Sequence, residues 1–215
     1  MNHKIALIFL VCIVLSTNTS AQDTEKKIQI KTIRFGLNYG QASHTHFPIH
    51  DTDYLYENKY FKTQVNFLLK QGNKLRYELN IEPSIYFSKH QLLNKYYIQP
   101  EMDPNYLKSR DVYTQKRSFN EYAINLGILM RYKIYKSLSS YLLGSIGPMI
   151  SGQNTERLKK GFAFSDIVGL GISNEMKRVR FDVRMTLRHC SNANLSQPNY
   201  GHNSLGVETG ISFQL

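Results

Sequence analysis

Apolar and polar positions alternate along most of this chain with a period of two. Tyr122, Ile124, Leu126, Ile128, Met130, Tyr132 and Ile134 share one parity, while Ala123, Asn125, Gly127, Leu129, Arg131 and Lys133 share the other. Leu75, Tyr77, Leu79, Ile81, Ile85 and Phe87 oppose Arg76, Glu78, Asn80, Glu82 and Ser84. Val179, Phe181, Val183, Met185 and Leu187 oppose Arg180, Asp182, Arg184, Thr186 and Arg188. Successive side chains of a β-strand point to opposite faces, so each parity is one face of a strand. Eight runs read as strands: 33–41, 60–70, 74–88, 119–135, 139–152, 162–175, 179–189 and 205–215. No long run has a helical period.

A soluble all-β domain also alternates, and two features weigh against it. The apolar faces persist for about ten residues, the length a strand needs to cross a bilayer. Short and long connections also alternate. Gln71–Asn73, Lys136-Ser137 and 176–178 are tight, whereas 42–59, 89–118, 153–161 and 190–204 are long. Outer-membrane barrels have this rhythm of short periplasmic turns and long external loops. The pattern therefore predicts an all-β fold, an eight-stranded antiparallel up-and-down transmembrane β-barrel. An even strand count puts both ends of the barrel on the periplasmic side. Charges on the polar faces, among them Arg131, Arg180, Asp182, Arg184 and Glu208, are expected to pair inside it. The 15 tyrosines are expected to form interfacial girdles. The chain ends in "GISFQL", alternating to its last residues as outer-membrane barrels do.

Lys4 precedes an apolar run, 5–16, that is too short to span a bilayer as a helix and ends before Thr19-Ser20-Ala21. Residues 1–21 read as a secretory signal peptide, leaving 22–215 as the barrel domain. Its removal lowers the formal net charge of +11 by one, the charge of Lys4. Such a basic chain favours anionic partners; export makes phosphorylated glycolipid or acidic lipid the choice over nucleic acid. Once the signal is removed, Cys190 is the sole cysteine, so no internal disulfide is expected.

Candidate chemistry sits in the long connections. His44, His46 and His50 accompany Asp51 and Asp53, a set that suits a solvated polar loop better than a metal site, and no metal is assigned. The "RLKK" of 157–160 suits lipid phosphates or a solvated cluster equally. The segment "RHCSNANLSQPNYGHNS", 188–204, is the most concentrated. Parity directs His189, Ser191 and Asn203 outward at the external rim, facing the outer leaflet. Polar groups facing lipid are costly and so point to function. A Ser with a His two residues away on one strand face has the parts of a nucleophile and its base. Asn, Pro and Gly equally suit a polar turn capping two strands.

The spacing of His189, Ser191, Asn192, Ala193, Pro198, Asn199 and Gly201 resembles the signature of the lipid A 3-O-deacylase family, of PagL type. These are eight-stranded outer-membrane barrels that remove an ester-linked acyl chain from lipid A. The resemblance implies Ser191 as nucleophile, His189 as general base, and Asn192 with the backbone amide of Asn194 as oxyanion hole. It implies lipid A or lipopolysaccharide of the bacterial outer membrane as partner and no cofactor, and leaves homodimer formation open. Two positions depart from the family. Its Gly is Asn194 here, and its acid falls on Asn203, whose amide oxygen can still orient an imidazole. Asp166 or Glu208 is the alternative acid, with parity directing Glu208 inward. A non-catalytic small barrel, structural, adhesive or glycolipid-binding, is the alternative function. A lipid A acyltransferase would lack the His-x-Ser-Asn-Ala segment.

Overall fold

The computed structural model describes residues 33–46, 48–49 and 51–215. The expected signal peptide lies outside the described residues, as does His50. Eight strands follow one another: β1 (Ile33–Ser43), β2 (Tyr54–Gln71), β3 (Leu75–Leu92), β4 (Arg117–Tyr135), β5 (Leu138–Ser151), β6 (Gly161–Met176), β7 (Val179–Ser191) and β8 (His202–Gln214). Each pairs antiparallel with the next, and β1 pairs with β8, so the sheet closes into a barrel with no free edge. Closure satisfies the strand amides internally, the condition for crossing lipid with strands.

Several strands run further at the external end than the alternation alone marked. β2 begins at Tyr54 and β3 ends at Leu92, because their inward positions there are Tyr54, Tyr56, Ser88 and His90. Amphipathic rings and small polar groups on the inner face hide the period that aliphatic residues make plain. The second long loop folds back through α1 (Tyr106–Tyr113), which has no buried residue and no apolar stripe to announce it.

The outward positions form a continuous apolar belt. Ile124, Leu126, Ile128, Val168, Leu170, Ile172, Val183, Met185 and Val207 are all exposed. So much exposed aliphatic surface, banded around the molecule, is that of a chain solvated by acyl chains. No helix among the described residues is long and apolar enough to cross a membrane; the crossing is made by strands.

The interior is filled by paired charges in tiers. Nearest the short turns, Arg180 grips both oxygens of Glu78 at 3.0 and 3.1 Å, and Arg34 pairs with Glu175. Above them, Arg184 reaches Glu82 at 2.8 Å and also Glu208, which Lys62 approaches to 2.9 Å. Higher still, Arg188 meets Glu121 at 2.8 Å, and Tyr56 donates to the same carboxylate oxygen at 2.8 Å. The charges expected inside, Arg131, Arg180, Asp182, Arg184 and Glu208, are all buried. Buried ions persist only where partners replace water, and these tiers supply the partners.

The tyrosine girdle is only partly realised. Tyr39, Tyr122 and Tyr132 face outward, but Tyr54, Tyr56, Tyr60, Tyr86 and Tyr141 are buried within the barrel. Their rings lie against interior cations: Arg188 is 3.7 Å from the Tyr86 centroid and Arg131 is 4.3 Å from that of Tyr141. A cation-rich interior gives a ring with a hydroxyl two kinds of partner at once, which a lipid interface does not. With its inside packed in this way, the barrel presents its reactive side chains at the rim.

Candidate active site

The external end of β7 carries the chemistry. Register sets three side chains in one row across adjacent strands: Asp166 on β6 faces His189 on β7, and His189 faces Asn203 on β8. Each is half-buried between two buried inward neighbours, so all three leave the barrel on its outer face. Ser191 lies two residues beyond His189 on that face, opposite Phe164 of β6. Positions two apart on a strand are about 6.6 Å apart, a span that an imidazole can bridge.

His189 Nδ1 lies 2.7 Å from Asn203 Oδ1. The amide oxygen can only accept, so Nδ1 carries the proton and donates it. In the neutral ring this makes Nε2 the acceptor, the form a general base takes. Among the described contacts His189 and Ser191 share no hydrogen bond. Catalytic contacts of this kind commonly tighten when substrate arrives.

The loop from 192 to 201 is shaped by the residues that made its sequence distinctive. Ala193 and Asn194 are left-handed, with φ of 52° and 63°, and Gly201 has φ of 72°. Asn visits this region readily, so Asn194 adopts the turn expected where the family has Gly. An added Cβ on Gly201 would lie 2.5 Å from the Cys190 carbonyl oxygen and 3.1 Å from His189 Cε1. Only glycine allows the chain to pass so close beneath the imidazole.

Asn192, expected in the oxyanion hole, is engaged here within the loop. Its side chain is fully buried, and Nδ2 donates to Ser196 O at 2.8 Å, to Ser196 Oγ at 3.0 Å and, more weakly, to Pro198 O at 3.5 Å. Its backbone amide donates to Asn199 Oδ1 at 2.6 Å. Asn192 and Asn199 thus pin the loop from within. Even parity explains this: Asn192 continues the inward set of β7. Asn199 Nδ2 also holds Asn194 Oδ1 at 3.0 Å, fixing the turn that presents the Asn194 amide.

The third long loop clamps the second half of this turn. Leu158 and Asn199 form an isolated bridge. Tyr200 N and Gly201 N both donate to Arg157 O, at 2.8 and 3.0 Å, and Arg157 Nε returns a bond to Gly201 O at 2.9 Å. The guanidinium sits 4.3 Å over the Tyr54 ring. Within "RLKK", therefore, Arg157 is an internal clamp, while Lys159 and Lys160 are exposed. The sequence carried no signal for the clamp, because its partners are 44 residues apart.

Of the two alternative acids, Glu208 lies in the interior with Lys62 and Arg184, as parity required. Asp166 stands in the row. His44 is buried, with ring nitrogens against Tyr56 N at 2.9 Å and Asp51 O at 3.0 Å, and His46 is exposed. No group of residues able to hold a metal ion occurs among the described residues.

The sequence profile of the lipid A 3-O-deacylase (PagL) family matches residues 99–212, more than half of the chain and including the entire row. No curated protein sequence matches the chain. Among solved structures, the chain is similar to the outer membrane enzyme PagL, with 13% identity and a TM-score of 0.53, covering 82% of this chain and 97% of that one. It is also similar to Neisserial surface protein A, with 10% identity and a TM-score of 0.48, covering 85% and 97%.

Proposed function

Since the chain belongs to the lipid A 3-O-deacylase family, we propose that it is an enzyme of the bacterial outer membrane that hydrolyses an acyl ester of lipid A through Ser191 and His189. The observation that carries this reading is the His189–Asn203 hydrogen bond on the outer face, two residues along β7 from Ser191. It fixes the imidazole tautomer that Ser191 needs.

His189 Nε2 takes the Ser191 proton as Oγ attacks the ester carbonyl carbon. The carbonyl oxygen becomes an oxyanion, for which the Asn194 amide is the available donor. Collapse breaks the bond to the sugar oxygen, which leaves with the proton from His189. Water then attacks the acyl–Ser191 ester, again with His189 as base, and the fatty acid departs. All the residues involved lie on β7, β8 and the loop between them, so one chain holds the whole site.

The surroundings suit a lipid substrate. The next row toward the membrane is Val168, Leu187 and Leu205, and the one after it Leu170, Met185 and Val207. An acyl chain attached at the ester can run down this lane within the bilayer, while the sugar stays at the rim. The test is mass spectrometry of lipid A from cells with and without the protein. Deacylation predicts a new lipid A species lighter by one acyl group. Unchanged lipid A from cells in which the barrel is folded in the outer membrane would favour a non-catalytic barrel.

A further inference from the structure

The row contains an acid that the mechanism has not used. Asp166 pairs with His189 across β6 and β7, on the side opposite Asn203. Both side chains point outward, and the two lie within electrostatic reach of one another. Asp166 Oδ1 is buried and has no hydrogen-bond partner among the described residues. An ionisable group on the lipid face of a strand, with a buried oxygen unpaired, is costly and persists where it has a task.

Asn203 orients His189 but carries no charge. As Ser191 attacks, His189 becomes an imidazolium, and a neutral amide stabilises it less well than a carboxylate would. We propose that Asp166 supplies this charge, dividing between two strands the work of the single acid found at the Asn203 position in the family: Asn203 fixes the tautomer and Asp166 stabilises the imidazolium. Asp166 is then a positioning residue acting through His189, not a group that touches substrate. The charged group facing His189 from β6 is Asp166; the residue facing it from β8 is the neutral Asn203, and Gly201 packs against its Cε1 edge. The inference rests on reading His189 as the base of Ser191.

Two readouts on the purified barrel in detergent separate this inference from that reading. One is the labelling rate of Ser191 by a fluorophosphonate, which reports activation of the hydroxyl with no need of lipid A. The other is kcat and KM for lipid A deacylation. Asp166→Asn should slow labelling and kcat by roughly tenfold to a hundredfold, the loss of one charge-assisted contact, with KM little changed. Asp166→Asn combined with Asn203→Asp should recover most of both, because the carboxylate returns on the other side of the same ring. Labelling of the wild type without deacylation would remove the substrate assignment but retain the role of Asp166. Wild-type labelling in Asp166→Asn would overturn the inference while leaving Ser191 and His189 in place. So would a defect confined to KM, or one that Asn203→Asp does not relieve. No labelling of the wild type, in a barrel shown to be folded, would overturn both.

Discussion

Replacing Gly201 by Ala should disable the site while leaving the barrel standing. At φ of 72° an L-residue costs about 1–2 kcal/mol in backbone strain. The new Cβ would also lie 2.5 Å from the Cys190 carbonyl oxygen. That oxygen is backbone in the last rungs of β7, where Cys190 faces His202, and it cannot yield without moving the strand. The contact at 3.1 Å to His189 Cε1 is too tight as well, so the imidazole is pushed off the Asn203 oxygen that now holds it at 2.7 Å. A displacement approaching 1 Å in a catalytic group can cost about a hundredfold in rate. The expected result is a loss in kcat of that order, with global stability reduced by the backbone strain of about 1–2 kcal/mol plus the local cost of relieving the contact with Cys190. Deacylation in micelles, followed by mass spectrometry and paired with urea unfolding, measures both. Gly161→Ala is the control: Gly161 has φ of 110°, but an added Cβ there meets nothing within 4 Å, so strain is present without a push on His189. Gly201→Ala at wild-type rate, or equal losses in the two variants, would show that Gly201 does not hold His189 in place.

Other outcomes follow from the same geometry. Asn203→Ala removes the acceptor for His189 Nδ1 and should slow deacylation by roughly ten- to a hundredfold, whereas Asn203→Asp keeps the acceptor, adds charge and should raise the rate; steady-state kinetics of the two variants decides. Arg188→Ala leaves the buried Glu121 with Tyr56 as its one remaining donor, and should destabilise the barrel by about 3–5 kcal/mol, read from urea unfolding. Arg157→Ala releases the clamp on Gly201 and should lower kcat while changing global unfolding by about 1 kcal/mol or less, and limited proteolysis should then cut the loop at 192–201 faster than in wild type. Leu187→Lys sets a charge in the apolar lane below His189 and should raise KM for lipid A more than it lowers Ser191 labelling.

Most of the barrel was legible because lipid and a charged interior impose opposite demands on alternate residues, as Phe181 to Arg188 display without exception. Legibility failed where the inner face is aromatic. Tyr54 and Tyr56 look like loop or girdle residues until the Tyr56–Glu121–Arg188 contacts give them an inside. In the site, parity and spacing were enough to put His189, Ser191 and Asn203 on one outward face, since all lie within or beside two paired strands. The resemblance placed Asn192 in the oxyanion hole; its burial and its bonds to Ser196 and Pro198 arise from the folded loop, which no motif records. The place of Asp166 depended on the β6–β7 register, which the tight turn at Lys177-Arg178 sets and which no motif records. The clamp from Arg157 arises between loops, where no period operates.

The proposed reaction is cleavage of an acyl ester of lipid A by Ser191 activated by His189. The most direct measurement compares purified wild type, Ser191→Ala and His189→Ala on lipid A in micelles, with released fatty acid quantified and barrel folding checked by heat-dependent migration on gels. Fatty acid is expected from wild type, none above background from either variant, and the same folded migration for all three. Fatty acid released by Ser191→Ala at the wild-type rate would contradict the proposed role of Ser191.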